Sequence, residues 1–174
     1  IPSAMKLCRA SGWNQLTTDW ERLLDHDPQG CFAVAVNEEI IATVTTTCYG
    51  RDLAWIGMML VHEEYRRQGI AVALIATCLD HLRSRDIRCI KLDATPAGKL
   101  VYSQLGFQDE WAFHRWKRDG DSESKPLDGD RGATNGQWNQ PLDLTAFGVD
   151  RRQWIKRLAA HSHTVNLPDG SGMI

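Results

Sequence analysis

The residues best suited to chemistry lie in the stretch LVHEEYRRQGIAV, from Leu60 to Val72: an apolar run, an acidic pair, twin arginines, a lone glycine and the start of a long apolar-periodic segment. Read as a helix start, this stretch gathers the backbone amides of Gln68, Gly69, Ile70, Ala71 and Val72 around one point. Amides that open a helix have no intrahelical partner, and the helix dipole adds partial positive charge there. Such a corner binds anions. Gly69 lets a ligand approach the backbone with no Cβ in the way, Ala71 keeps the first turn narrow, and Arg66 and Arg67 can add charge-assisted contacts. The expected guest is a pyrophosphate. The stretch has neither the GK[ST] of a P-loop nor the three spaced glycines and following acid of a dinucleotide fold, so those two phosphate chemistries do not apply.

A strand must deliver this corner and a helix must receive it. LAWIGMMLV, Leu53 to Val61, is almost wholly apolar and reads as a strand buried on both faces. After the turn, Ala71, Leu74, Ile75, Cys78, Leu79 and Leu82 recur at helical spacing. Upstream, Cys31 to Val36 and Ile40 to Tyr49 are strand-like runs separated by Asn37, Glu38 and Glu39, the layout of an antiparallel hairpin. Downstream, Cys89 to Ala94 reads as a strand, and strand, helix, strand in succession obliges a parallel pair. Two helical pieces, broken at Ser11 and Gly12, precede the sheet. In the second, Thr18 and Glu21 have capping-box spacing, Trp20, Leu23 and Leu24 share one stripe, and Asp27 and Pro28 end it. Thr95 and Pro96 cap a short helix, Ala97 to Leu105, that Gly106 ends, and Phe107 to Trp116 reads as a returning strand. The class is α+β with a mixed, mostly antiparallel sheet flanked by helices.

Composition narrows the function further. The 174 residues carry 20 Lys and Arg against 22 Asp and Glu, a net charge of −2. No basic face argues for nucleic acid or a membrane surface. Apolar runs break within about ten residues, short of the ~20 needed to span a bilayer. Five cysteines, with no CxxC pair among them, read as small core hydrophobes in a reducing, cytoplasmic compartment. Residues 118–141 are poor in aliphatics and rich in Gly, Asp, Ser and Pro, a linker between residues 1–117 and a helical pattern in 142–174. The chain opens with Ile1 rather than Met and stops at GSGMI, the pattern of a fragment.

Arg66, Arg67, Gln68, Gly69, Ile70 and Ala71 match the R/Q-x-x-G-x-G/A loop of the GCN5-related N-acetyltransferases, and the chain resembles that family over roughly residues 1–117. LDATPAGKLVYSQLGF, one helix later, is similar to the family's closing helix with its tyrosine and LGF ending. The resemblance implies a fold whose central strands, here Leu53 to Val61 and Cys89 to Ala94, splay apart around the pantetheine of acetyl-CoA, used as cosubstrate without a metal. It implies an N-acetyltransferase in which a primary amine attacks the thioester directly. A backbone N–H near Met59, Leu60 or Val61 would then hold the oxyanion, and Tyr102 would protonate the departing thiolate. Family members often carry a Glu on the strand before the loop. This strand has no carboxylate, which leaves His62, Glu63 or a water relay as the base. LDLTAFGVDRRQWIKRL resembles the opening of the second acetyltransferase-like domain of tandem members, and the family's first strand would precede Ile1.

Alternatives accompany these roles. Tyr102 also fits a core tyrosine packed on Leu105 and Phe107, and Asp93 fits a cap for the next helix as well as a group that orients an amine. His161 and His163 lack a third partner for a metal. Trp20, Trp55 and Trp154 fit apolar stripes, whereas Trp13 and Trp111 are candidates to line a substrate mouth. A non-catalytic acyl-CoA-binding module and a binder of another phosphorylated ligand compete with the enzyme. The acceptor stays open among small amines, aminoglycosides, polyamines and protein N-termini.

Overall fold

The strand-like runs pair as their spacing predicts. In the computed structural model, which describes residues 1–114, 139–160, 162, 165–166 and 172–173, β1 (Cys31–Val36), β2 (Glu39–Tyr49) and β3 (Leu53–Val61) form an antiparallel meander. β4 (Cys89–Leu92) joins β3 in parallel, giving the order β1-β2-β3-β4. Val36 pairs with Glu39, so the first hairpin turns on Asn37 and Glu38 alone, both at positive φ (50° and 67°), the geometry that matches strand twist.

Helices cover both faces. α1 (Pro2–Ala10) and α2 (Thr17–His26) lie on one, α3 (Ile70–Ser84) on the other. The α3 side buries Leu74, Ile75, Cys78 and Leu82 against Ala42, Val44, Ala54 and Ile56. The opposite side packs Met5, Leu7, Cys8 and Trp20 with Leu60 and Met58. Residues at alternate positions of β2 therefore divide cleanly. Ala42, Val44 and Cys48 meet the α3 core, while Thr43, Thr45 and Thr47, all buried, belong to the other face. α4 (Pro96–Gln104) starts at Thr95, whose Oγ1 accepts the Gly98 N–H at 3.1 Å. α5 (Gln140–Phe147) and α6 (Arg152–Ala159) follow, and β5 (Val165–Asn166) pairs with β6 (Gly172–Met173). No described helix is long and apolar enough to cross a membrane.

Several expectations need correction. Thr18 does not cap α2: the helix begins at Thr17, and the Asp19 carboxylate accepts the Leu16 N–H at 2.7 Å, so the acid doing the capping is not Glu21. β4 ends at Leu92 rather than Ala94, because Asp93 and Ala94 turn toward the Thr95 cap. Phe107 to His114 is not a strand. Charge pairs hold that segment instead of ladder bonds: Lys91 meets Glu110 at 2.7 Å, Lys99 meets Asp109, and Lys91 Nζ sits 4.9 Å over the Trp111 ring. Trp116, most of the expected linker, His161 and His163 lie outside the described residues. Gln140 and Pro141, read as linker, form the first turn of α5, capped by the Asn139 side chain accepting the Leu142 N–H at 3.1 Å.

Candidate functional site

The center of the molecule is built by a strand that changes partner. β3 pairs with β4 only from Leu53↔Cys89 to Ile56↔Leu92, after which β3 runs on to Val61 alone on that side. The two strands part at Ile56. Immediately beyond, the β2–β3 register slips: Thr43 faces Leu60 but Thr45 faces Gly57. Met58 takes up the extra residue with φ of 51°, a strained value for a side chain with a Cβ. The Thr43 hydroxyl pins the bulge by donating to the Met58 carbonyl at 2.9 Å. The slip also resets alternation, placing Leu60 and Met58 on the α1 side and Met59 and Val61 on the α3 side.

Past the end of β3 the chain reaches the anion corner. Arg67 (φ 61°) and Gly69 (φ 79°) both adopt left-handed backbone, and a Cβ at Gly69 would meet nothing within 4 Å. Glycine is thus required there by its φ and not by crowding. The first backbone bond of α3 runs from Ala73 N–H to Gly69 O at 3.0 Å. The amides of Gln68 to Val72 find no acceptor among the described residues. Arg67 and Gln68 are exposed. Arg66 is otherwise engaged, its Nε donating to the Val61 carbonyl at 3.0 Å, so it braces the turn against the strand end.

The other sequence-derived candidates are scattered. Tyr102 packs on the α3-side core, edge to face with Phe107 at 6.1 Å, and burial pushes its phenol up. A Cβ at Gly98 would come within 3.0 Å of the Tyr102 ring, so that glycine makes room for it. His62 and Glu63 line a small cleft with Leu7, Ala10 and Ser11 of the α1 end, together with Val61 and Arg66. His62 Nδ1 is buried without a hydrogen-bond partner among the described residues. Met58 is four residues back along the strand from His62, roughly 13 Å at about 3.3 Å per residue. The structure therefore groups His62 and Glu63 with the loop and not with the bulge.

At the bulge lies a cavity of about 230 Å³. Its floor is the non-α3 face of the sheet: Thr45, Thr47 and Tyr49 of β2 with Trp55, Gly57 and Met58 of β3. Asp19, Arg22 and Leu23 of α2 and Trp154 and Leu158 of α6 complete it. Arg22 Nη1 donates to Asp19 Oδ1 at 3.0 Å, and burial raises the Tyr49 phenol, opposed by nearby Arg151. Sequence reading missed these residues. Trp13 packs on the α1 core and Trp111 is 64% exposed beside Lys91, whereas Trp55 and Trp154, read as stripe residues, line the cavity. The row Thr43, Thr45, Thr47 was an available signal, since hydroxyls alternating along an inner strand mark a polar face under cover.

Residues 5–107 match the sequence model of the acetyltransferase (GNAT) family. The chain is 25% identical over 166 residues to the uncharacterized N-acetyltransferase YitH of Bacillus subtilis, covering 93% of this chain and 58% of that protein. It is 25% identical over 167 residues to the holothin acyltransferase of a Pseudoalteromonas species, covering 92% and 56%. It thus spans little more than half the length of these curated relatives. Among solved structures, a Pyrococcus horikoshii protein assigned as an acetyltransferase superposes with a TM-score of 0.64 at 24% identity, over 83% of this chain and 51% of that one. A Clostridium acetobutylicum protein of the same assignment, solved with acetyl-CoA, gives 0.52 at 20% identity over 67% and 86%. These likenesses show a shared fold, as the splayed strands and flanking helices do.

Proposed function

The chain belongs to the acetyltransferase (GNAT) family, and on that premise we propose that it transfers acetyl from acetyl-CoA to a primary amine within a ternary complex. The observation that carries this reading is the parting of β3 from β4 at Ile56↔Leu92, with the amides of Gln68 to Val72, which find no acceptor among the described residues, farther along the same line of chain. A long, thin cosubstrate fits such a path: its diphosphate on the helix-opening amides and exposed Arg67, its pantetheine in the strand gap against Met59, Leu60 and Val61.

The chemistry follows from the placement of groups. A neutral amine nitrogen attacks the thioester carbonyl carbon, and a β3 amide in the Met59 to Val61 stretch receives the oxyanion. The C–S bond then breaks, the thiolate takes the Tyr102 hydroxyl proton, the nitrogen releases its own proton to water, and water returns a proton to the Tyr102 phenolate, so that no net proton is released. Burial keeps Tyr102 protonated at neutral pH, as a proton donor must be. His62 and Glu63 stand with the loop, so we assign the amine's proton to water at the cavity mouth and not to either side chain. Five free cysteines support a reducing, cytoplasmic setting. Residues 142–174 would open a second domain of the same kind, in keeping with relatives that extend well beyond the matched length.

The deciding measurement is calorimetric titration with acetyl-CoA followed by thiol release across an amine panel. Saturable binding with amine-dependent release supports the enzyme. Binding without release from any amine would support the acyl-CoA-binding module instead, the reading favored by the lack of a carboxylate in β3.

A further inference from the structure

Residues 140–159 lie outside the 5–107 stretch that matches the family, yet they supply part of the cavity wall through Trp154 and Leu158. Local contacts hold them there. Trp154 meets His26 of α2 edge to face at 5.3 Å, and Phe147 meets Tyr49 of β2 at 5.4 Å. Arg151 ties the two helices together, its Nε donating to Asp143 at 3.0 Å while its guanidinium lies 4.1 Å over the Phe147 ring.

The cavity's size and lining describe its guest. At about 230 Å³ it exceeds the ~150 Å³ that accepts benzene, so it holds one or two rings and excludes a folded protein. Two tryptophans, Leu23 and Met58 make the wall largely apolar, with the Thr45 and Thr47 hydroxyls as short polar accents. One donor is left over. Arg22 Nη1 is paired with Asp19, and Nη2 reaches Ser162 Oγ at 3.5 Å. Its Nε is buried with no hydrogen-bond partner among the described residues. Nε shows no surface to the cavity, but Arg22 lines it, and a turn of the guanidinium on binding would bring this unsatisfied donor to a carbonyl or carboxylate on the ligand. Gly57 and Met58, at the parting of the strands, line the same cavity, so a bound amine would stand beside the thioester.

Resting on the acetyl-transfer reading above, we propose that this cavity is the acceptor site, that α6 is its specificity wall, and that the acceptor is a small aromatic amine whose carbonyl or carboxylate oxygen is read by Arg22. The group transfer is the one already written: the amine gains acetyl, CoA leaves as the thiol, and the proton the nitrogen gives to water is returned by water to Tyr102.

The test titrates the chain with 4-aminobenzoate, phenylalaninamide and tryptophanamide against spermidine and a lysine tetrapeptide, with and without CoA, and measures acceptor KM by thiol release. At least one aromatic amine should bind about tenfold tighter than spermidine. Arg22→Lys keeps a charge for Asp19 but removes the Nε donor, and should weaken that ligand about tenfold. Trp154→Ala should raise acceptor KM. Gly57→Ala adds a methyl in ordinary contact with Thr45 Oγ1, 3.8 Å away, and should raise KM without disturbing α6. The acetyl-CoA Kd should hold constant throughout. Preference for spermidine or peptide, or wild-type acceptor Kd and KM in all three variants, would overturn the proposal. Failure of the underlying reading looks different: no acetyl-CoA binding and no release with any amine. Titration without CoA decides the cavity's ligand in either case.

Discussion

At the scale of single residues, the site depends on a few backbone angles and one hydroxyl. Met58 at φ 51° is held by the Thr43 hydroxyl, which is buried. Thr43→Val should therefore cost about 1 kcal/mol in denaturant unfolding and lower kcat as the β3 amides shift. Tyr102→Phe removes the proposed proton donor without changing the packing on Phe107. We expect kcat to fall by about 10²-fold or more at unchanged acetyl-CoA Kd; unchanged kcat would make Tyr102 a core residue only. Gly69→Ala forces a Cβ into left-handed backbone, at roughly 1 kcal/mol, and should weaken acetyl-CoA in the same titration. The requirement at Gly69 was legible because glycine before a helical run has a local meaning. The bulge at Met58 was not: LAWIGMMLV reads as uninterrupted strand, and the slip shows only when β2 and β3 are set side by side.

Elements carry a different kind of information. α3 was legible from its helical periodicity, and β1 and β3 from their apolar runs, β3 being buried on both faces, while Phe107 to His114 looked like a strand and is not. β4 is only four residues long, and the segment that follows α4 is tied to the rest by the Lys91–Glu110 and Lys99–Asp109 pairs and not by a ladder. The docking of α6 is likewise decided between elements, and it carries a pH dependence. Burial lowers the pKa of His26, its contact with the Cys48 carbonyl opposes this, Arg157 and Arg85 lower it further, and Asp27 raises it. A His with a depressed folded pKa binds more protons when unfolded, so its contribution is present above about pH 6.5 and is lost as pH falls through the folded value. Wild type should thus lose more stability between pH 7 and 5 than His26→Phe, which keeps the edge-to-face contact with Trp154. Chemical denaturation at each pH checks this, and equal slopes would remove His26 from the account.

Across the whole molecule, ligand and pH should act on one cooperative unit. Acetyl-CoA at a hundred times its Kd should add about 2.7 kcal/mol, a rise of roughly 5–10 °C in Tm for a chain of this size. Toward alkaline pH the sign reverses. Burial pushes the Cys31 thiol up to about 11 and the Cys78 thiol up to about 12. The folded chain keeps these protons when the unfolded chain releases them, so stability is full below the ordinary thiol range and falls as pH rises through about 11 and then 12. At pH 8, both thiols should react with a disulfide reagent more slowly than exposed Cys89.

What the amino-acid sequence determined by itself is whatever a short window can encode: the apolar stripes of the helices, the hairpin turn, and the glycine and free amides that open α3. Interactions among neighbors a few residues apart decide these, so tertiary context did not need to be known. The parting of β3 and β4, the Met58 bulge and the cavity exist only after folding. They bring Arg22, Thr45, Trp55 and Trp154 from four separate elements to one place, and no local pattern records that convergence.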